Sequence, residues 1–148
     1  MKVERILYPT DFSEGSANAL AYAKDLAKHY NAKLYIVHVV YDVVKTTGMH
    51  VPHVSSEELY KDLNKWGEDE IEKCCAEEIR DMDNVEKAIL HGVPYEEIVK
   101  YAEKENIDMI VIGAYGHSGL ERLIFGSTAE RVVRRAACDV LTVRPQDK

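Results

Sequence analysis

Asp108-Met109-Ile110-Val111-Ile112-Gly113-Ala114-Tyr115-Gly116-His117-Ser118-Gly119, followed shortly by Gly126-Ser127-Thr128, runs a strand into a glycine-rich loop and on to a helix start. Residues 108–112 are almost wholly apolar, as expected of a strand covered on both faces. Beyond the loop, Ala129, Val132, Val133 and Ala136 are spaced as one face of a helix. Val140-Leu141-Thr142-Val143 reads as a further strand.

The same alternation extends back to the start of the chain. Glu4-Arg5-Ile6-Leu7-Tyr8 reads as a first strand stopped by Pro9. Ser13 is placed to cap a helix reaching about Tyr30, whose many alanines suit close packing on a sheet. Lys33–Val40 reads as an interior strand. A loop over residues 41–54 leads to Ser55 and Glu58, a capping box for a long charged helix ending near Met82. Val85–Leu90 alternates more and reads as an edge strand broken by Gly92. Pro94 suits the first position of a helix whose stripe is Tyr95, Ile98, Val99 and Ala102. Five strands alternating with four helices indicate an α/β fold. The expectation is a doubly wound, open parallel sheet with helices on both faces, built by right-handed crossovers.

The 148 residues, 46% hydrophobic and 30% charged, fit one domain spanning 1–148. No apolar run approaches membrane-spanning length and the N-terminus does not read as a signal peptide, so the expected compartment is the cytoplasm. A net charge of −7 argues against general nucleic-acid or anionic-membrane binding. It does not oppose a local site for a small anion. Cys74, Cys75 and Cys138 form neither a disulfide framework nor a metal-ligand spacing and are expected to be buried or partly buried thiols.

In an open α/β sheet, ligands bind beyond the carboxyl ends of the strands. The candidate loops are Pro9–Ser13, Val39–Asp42, His91–Pro94 and the glycine-rich stretch. Gly113 and Gly116 allow the backbone to turn and approach a ligand. Gly126-Ser127-Thr128 opens a helix whose free N–H groups favour an anion. Ordinary turn chemistry, with a capping box formed by Ser127 and Glu130, explains the same residues equally well.

Gly113, Gly116, Gly126 and Ser127 also satisfy Gly-x2-Gly-x9-Gly-(Ser/Thr), and the chain resembles the nucleotide-binding branch of the universal stress protein family. The resemblance extends to the opening Ile6–Ser13, the strand ending in His38-Val39, the Gly92-Val93-Pro94 turn and the closing Ala136–Val143. It implies a Rossmann-like sheet of order 3-2-1-4-5, ATP (or ADP or AMP) as ligand with Mg2+ expected beside it, and a homodimer paired through residues 140–143. Carried over by position, Pro9, Thr10 and Asp11 approach the ribose or adenine, and Val39 contacts the base. Gly113, Gly116, His117, Gly126, Ser127 and Thr128 hold the ribose and phosphates. Asp11 also has a plainer role in an Asx turn or helix cap. His117 stands where many relatives carry Arg or Lys, which leaves the choice among ATP, ADP and AMP open. Asp139 replaces a common proline beside the dimer strand.

His50 and His53 lack the further ligands a zinc site needs, so no metal site is expected there. Arg131, Arg134 and Arg135 read as dipole partners or a solvated face, Arg122 as a speculative phosphate neighbour, and Trp66 as a core anchor. There is no Walker A loop, nucleophile elbow or phosphoreceiver acid pair. The leading expectation is a regulatory adenine-nucleotide-binding protein with a protein partner not identified by the sequence. A slow ATP hydrolase, and an interaction module working without nucleotide through acidic helix 55–82, are the alternatives.

Overall fold

The structure is a computed structural model that describes residues 1–42, 48, 56–115 and 125–145. In chain order its elements are β1 (Arg5–Pro9), α1 (Glu14–Tyr30), β2 (Lys33–Tyr41), α2 (Ser56–Ile79), β3 (Val85–Gly92), α3 (Pro94–Lys104), β4 (Met109–Gly113), α4 (Ser127–Arg135) and β5 (Asp139–Val143). The strands make one parallel sheet of order β3-β2-β1-β4-β5, as the resemblance implies.

Strand alternation divides the core in two. Ile6, Tyr8, Leu34, Ile36 and Val111 face α1 and α2, while Leu7, Tyr35, Val37, Ile110 and Ile112 face α3 and α4. Both faces of the central strands are therefore dry, which explains their unbroken apolar runs. Each fully buried Leu or Ile contributes roughly 1.5–3 kcal/mol.

Helix α1 lays Ala19, Ala23 and Ala27 on the sheet, one turn apart, and so approaches it closely. Its ends are well specified. Ser13 caps the start by accepting the Ser16 N–H, and Asn31 closes the end in the left-handed conformation with φ 54°. Helix α2 buries Ile71, Cys75 and Ile79 at four-residue intervals, and Lys24 and Lys28 of α1 pair with Glu78 and Asp81 at and just beyond its end. At the same amino ends of the strands, the Asp108 carboxylate accepts the N–H groups of Glu4 and Arg5 at 2.8 and 2.9 Å.

Several local expectations need correction. Pro9 belongs to β1 rather than stopping it: β1 pairs with β4 only at Ile6 and Leu7, so no donor is needed at Pro9. Strand β3 continues through Gly92. On α3 the buried residues are Ile98, Tyr101 and Ala102, with Val99 only half-buried. Tyr101 takes that place because its ring lies against Tyr35, at 6.2 Å between centroids, under the sheet. On α4, Ala129 and Val132 are buried but Val133 is 46% exposed, because the helix ends at Arg135 and presents a narrower face than the spacing implied. Cys74 is exposed, whereas Cys75 is buried and Cys138 partly so. Ser55, His50, His53 and Arg122 lie outside the described residues.

Candidate functional site

A cavity of about 290 Å³ opens at the carboxyl ends of β1 and β4. This is the switch point of the sheet, where the chain leaves neighbouring strands toward opposite faces. Pro9, Thr10 and Asp11 reach it from β1, Val39 from β2, Gly113 from β4, and Gly126, Ser127 and Thr128 from the start of α4. Eight of the ten residues singled out by sequence thus line one cavity. The other two, Gly116 and His117, lie outside the described residues.

The walls also include residues that the sequence reading passed over. Ser16 enters from the first turn of α1, Pro94 and Ile98 from α3, and Ile112, Ala114, Tyr115 and Ala129 from around the glycine-rich stretch. Pro94 and Ile98 had a visible signal, since one ends a candidate loop and the other belongs to the apolar stripe of α3. Ser16 had only its spacing from Ser13.

The composition of the wall changes across the sheet. Val39, Pro94 and Ile98 make an apolar side toward β2 and α3. Toward β4 lies the start of α4, where Gly126 is the N-cap with φ −59° and ψ 143° and no side chain caps the helix. Ser127 is therefore the first helical residue, and the capping box with Glu130 does not form. The first-turn N–H groups and the positive end of the helix dipole suit an anion. Gly126 N–H donates to the Ala114 carbonyl at 2.7 Å and Ala114 N–H to the Val143 carbonyl at 2.8 Å, tying this helix start to β4 and β5.

Between the two sides stands the loop after β1, held by a buried hydroxyl network. Thr10 Oγ1 lies 3.0 Å from Ser16 Oγ and accepts the Phe12 N–H at 3.0 Å. The Tyr8 hydroxyl donates to the Ser16 carbonyl at 2.7 Å, and burial pushes its pKa up, so it remains a donor. Asp11 Oδ1 accepts the Ser13 N–H at 2.9 Å, so the Asx turn is present in a residue that also lines the cavity. Leaving either buried hydroxyl unpaired would cost about 1–3 kcal/mol, so this network resists rearrangement.

Gly113 lines the cavity and also meets α1. A Cβ there would meet the Gly15 carbonyl oxygen at 2.7 Å, so its missing side chain makes room for the backbone of α1. Phe12, next to Asp11, is held at φ 65°, where an L-residue costs roughly 1–2 kcal/mol. Trp66 is no core anchor: it is 48% exposed, with its ring edge-on to Phe12 at 5.6 Å. Arg134 pairs with Glu130 at 2.8 Å, while the guanidinium groups of Arg131 and Arg135 lie over the Tyr95 ring at 5.0 and 5.4 Å. Among the described residues, no group of three or more His, Cys, Asp or Glu side chains gathers as a metal site. No described helix is long and apolar enough to cross a membrane.

Known proteins share both the sequence and the architecture. Universal stress protein MJ0531 of Methanocaldococcus jannaschii is 40% identical over 148 residues, covering 98% of this chain and 84% of that protein. The structure of MJ0577 from the same organism superposes with a TM-score of 0.83 at 30% identity, covering 100% of both chains. A universal stress protein from Archaeoglobus fulgidus, solved in complex with dAMP, shares the fold with a TM-score of 0.60 at 21% identity, covering 97% of this chain and 100% of that one. The model of the universal stress protein family matches residues 2–144. The sheet order, the glycine spacing and these matches agree, and the chain belongs to the universal stress protein family.

Proposed function

We propose that the chain is one nucleotide-binding domain over residues 1–148, which binds an adenine nucleotide and acts as a cytoplasmic homodimeric regulator of a protein partner. One observation carries this reading: a single cavity joins an apolar wall to an uncapped helix start, with Thr10 and Asp11 between them. A purine base fits the side made by Val39, Pro94 and Ile98. The Asp11 carboxylate suits ribose hydroxyls, which donate to it, better than phosphates, which it would repel. Phosphates belong at Gly126, Ser127 and Thr128, where backbone N–H groups and hydroxyls serve as donors. In this reading Gly116 and His117 complete the phosphate end, and Mg2+ accompanies ATP or ADP through the phosphates.

The Archaeoglobus fulgidus protein was solved with an adenine nucleotide, but at 21% identity that likeness bears on the fold alone. The weight rests on this chain's own cavity. Hydrolysis is the less favoured reading: among the described lining residues the carboxylate is Asp11, and the Asx turn holds it to Ser13.

Calorimetry with ATP, ADP and AMP, paired with mass spectrometry of any copurifying small molecule, tests the proposal. Saturable one-to-one binding of at least one of the three is expected. No heat from any of them, with no nucleotide copurifying, overturns it.

A further inference from the structure

The loop after β1 meets both the cavity and the core beneath α1 and α2 within three residues. Thr10 and Asp11 line the cavity. Phe12 packs against that core. Phe12 is held at a left-handed φ of 65°, a backbone conformation that bulky residues rarely adopt. The Phe12 ring lies 4.4 Å from His38 and 5.6 Å from Trp66, and His38 lies 5.7 Å from Trp66, so the three rings form a cluster. His38 also joins that cluster to the cavity wall. Its Nδ1–H donates to the Thr10 carbonyl at 2.8 Å, the carbonyl being able only to accept.

We propose that His38 couples the state of the cavity to the outer face of α2. This rests on the adenine-nucleotide reading and adds a regulatory route to it. A nucleotide seated on Thr10 and Asp11 pins the turn from one side. His38 and Phe12 carry that restraint past the end of the sheet to Trp66, which is 48% exposed on a charged helix. His38 is thus a positioning residue, acting on the exposed Trp66 through Phe12.

Trp66 is the only tryptophan in the chain, so its fluorescence reports on this route. The full chain is titrated with ATP, ADP and AMP, following binding by calorimetry and Trp66 emission in parallel. Emission is expected to change saturably, with the affinity that calorimetry gives. His38→Leu, which keeps bulk but loses the donor, should weaken binding about three- to tenfold, as expected for one hydrogen bond, and abolish the emission change. His38→Asn retains a side-chain N–H and should restore both. Phe12→Gly accepts the left-handed backbone but lacks the ring; it should bind within about threefold of the parent and give no emission change.

Calorimetric binding by the parent with unchanged Trp66 emission overturns the coupling and leaves the binding site standing. So does a full emission response in Phe12→Gly, a measurement that remains decisive if His38→Leu does not fold. Failure of all three nucleotides to bind the parent overturns the nucleotide reading and the coupling together.

Discussion

Gly15 and Gly113 meet backbone to backbone. A Cβ on Gly113 would stand 2.7 Å from the Gly15 carbonyl oxygen, and one on Gly15 would collide with the carbonyl oxygen of Tyr115. In an exposed helix, replacing Gly by Ala is favourable by about 1 kcal/mol. Here the sign reverses, because the obstacle is backbone and cannot rotate away. Gly15→Ala is expected to destabilise by about 1–3 kcal/mol, lowering the melting temperature by roughly 3–10 °C. A variant melting at or above the parent would show that α1 can lift from β4 without loss.

Gly126 presents the opposite case. Its φ of −59° and ψ of 143° are open to any L-residue, so Gly126→Val should fold normally. The added side chain would stand at the helix start where phosphate is proposed to sit. Nucleotide affinity should fall about 100-fold or more, equivalent to about 3 kcal/mol, with an unchanged circular dichroism spectrum. Unaltered affinity by calorimetry would relocate the phosphates.

Alkaline pH should weaken the fold. Burial pushes the Cys75 thiol from its ordinary 9.0 up to about 12, and raises Tyr8 as well. Above about pH 9 the unfolded chain gives up the Cys75 proton while the native chain keeps it, so the unfolded state binds fewer protons and stability declines as pH rises. The slope is at most about 1.4 kcal/mol per pH unit for each such group. Urea unfolding at about pH 7, 9 and 10.5 should give falling midpoints, and Cys75→Val should flatten part of the decline. Equal parent midpoints across that range would show the thiol to be less enclosed.

The proposed dimer has its own test at β5. This strand is terminal in the sheet, with Leu141 36% exposed on it, and an uncovered edge is prone to pairing. If two copies pair through residues 140–143, Leu141→Lys should shift sedimentation from dimer to monomer while the monomer still binds nucleotide. Sedimentation of the parent as a monomer at every concentration would refute the pairing.

The strands themselves and the loops that line the cavity were legible because they depend on local signals, whereas the strand order came from the family resemblance. Apolar runs mark Lys33–Tyr41 and Met109–Gly113 as buried strands, and Ser13 marks the start of α1. What stayed illegible depends on three-dimensional direction. Spacing placed Val133 on a helix face, but only the end of α4 at Arg135 and the packing of Val132 decide which side faces solvent. The composition around Trp66 gives no hint of Phe12 and His38, which come from separate elements. Gly113 was correctly read as needing space, yet the occupant of that space is Gly15, nearly a hundred residues away in sequence.

Strand β1 lies at the centre of the sheet, but the N–H groups of Arg5 and of Glu4 just before it are met by Asp108, 103 and 104 positions later. The walls of the cavity are divided across the same interval. A nascent chain that has left the ribosome only as far as α3 holds Thr10, Asp11 and Val39 but neither Gly113 nor the start of α4. If the site is what it is proposed to be, such a fragment offers phosphates no helix start to rest on and gains nothing from the cell's nucleotide pool. Ligand stabilisation, which acts by mass action on the state that binds, then reaches only chains whose synthesis has passed α4. In that reading a chain truncated before α4 gains no stability from nucleotide.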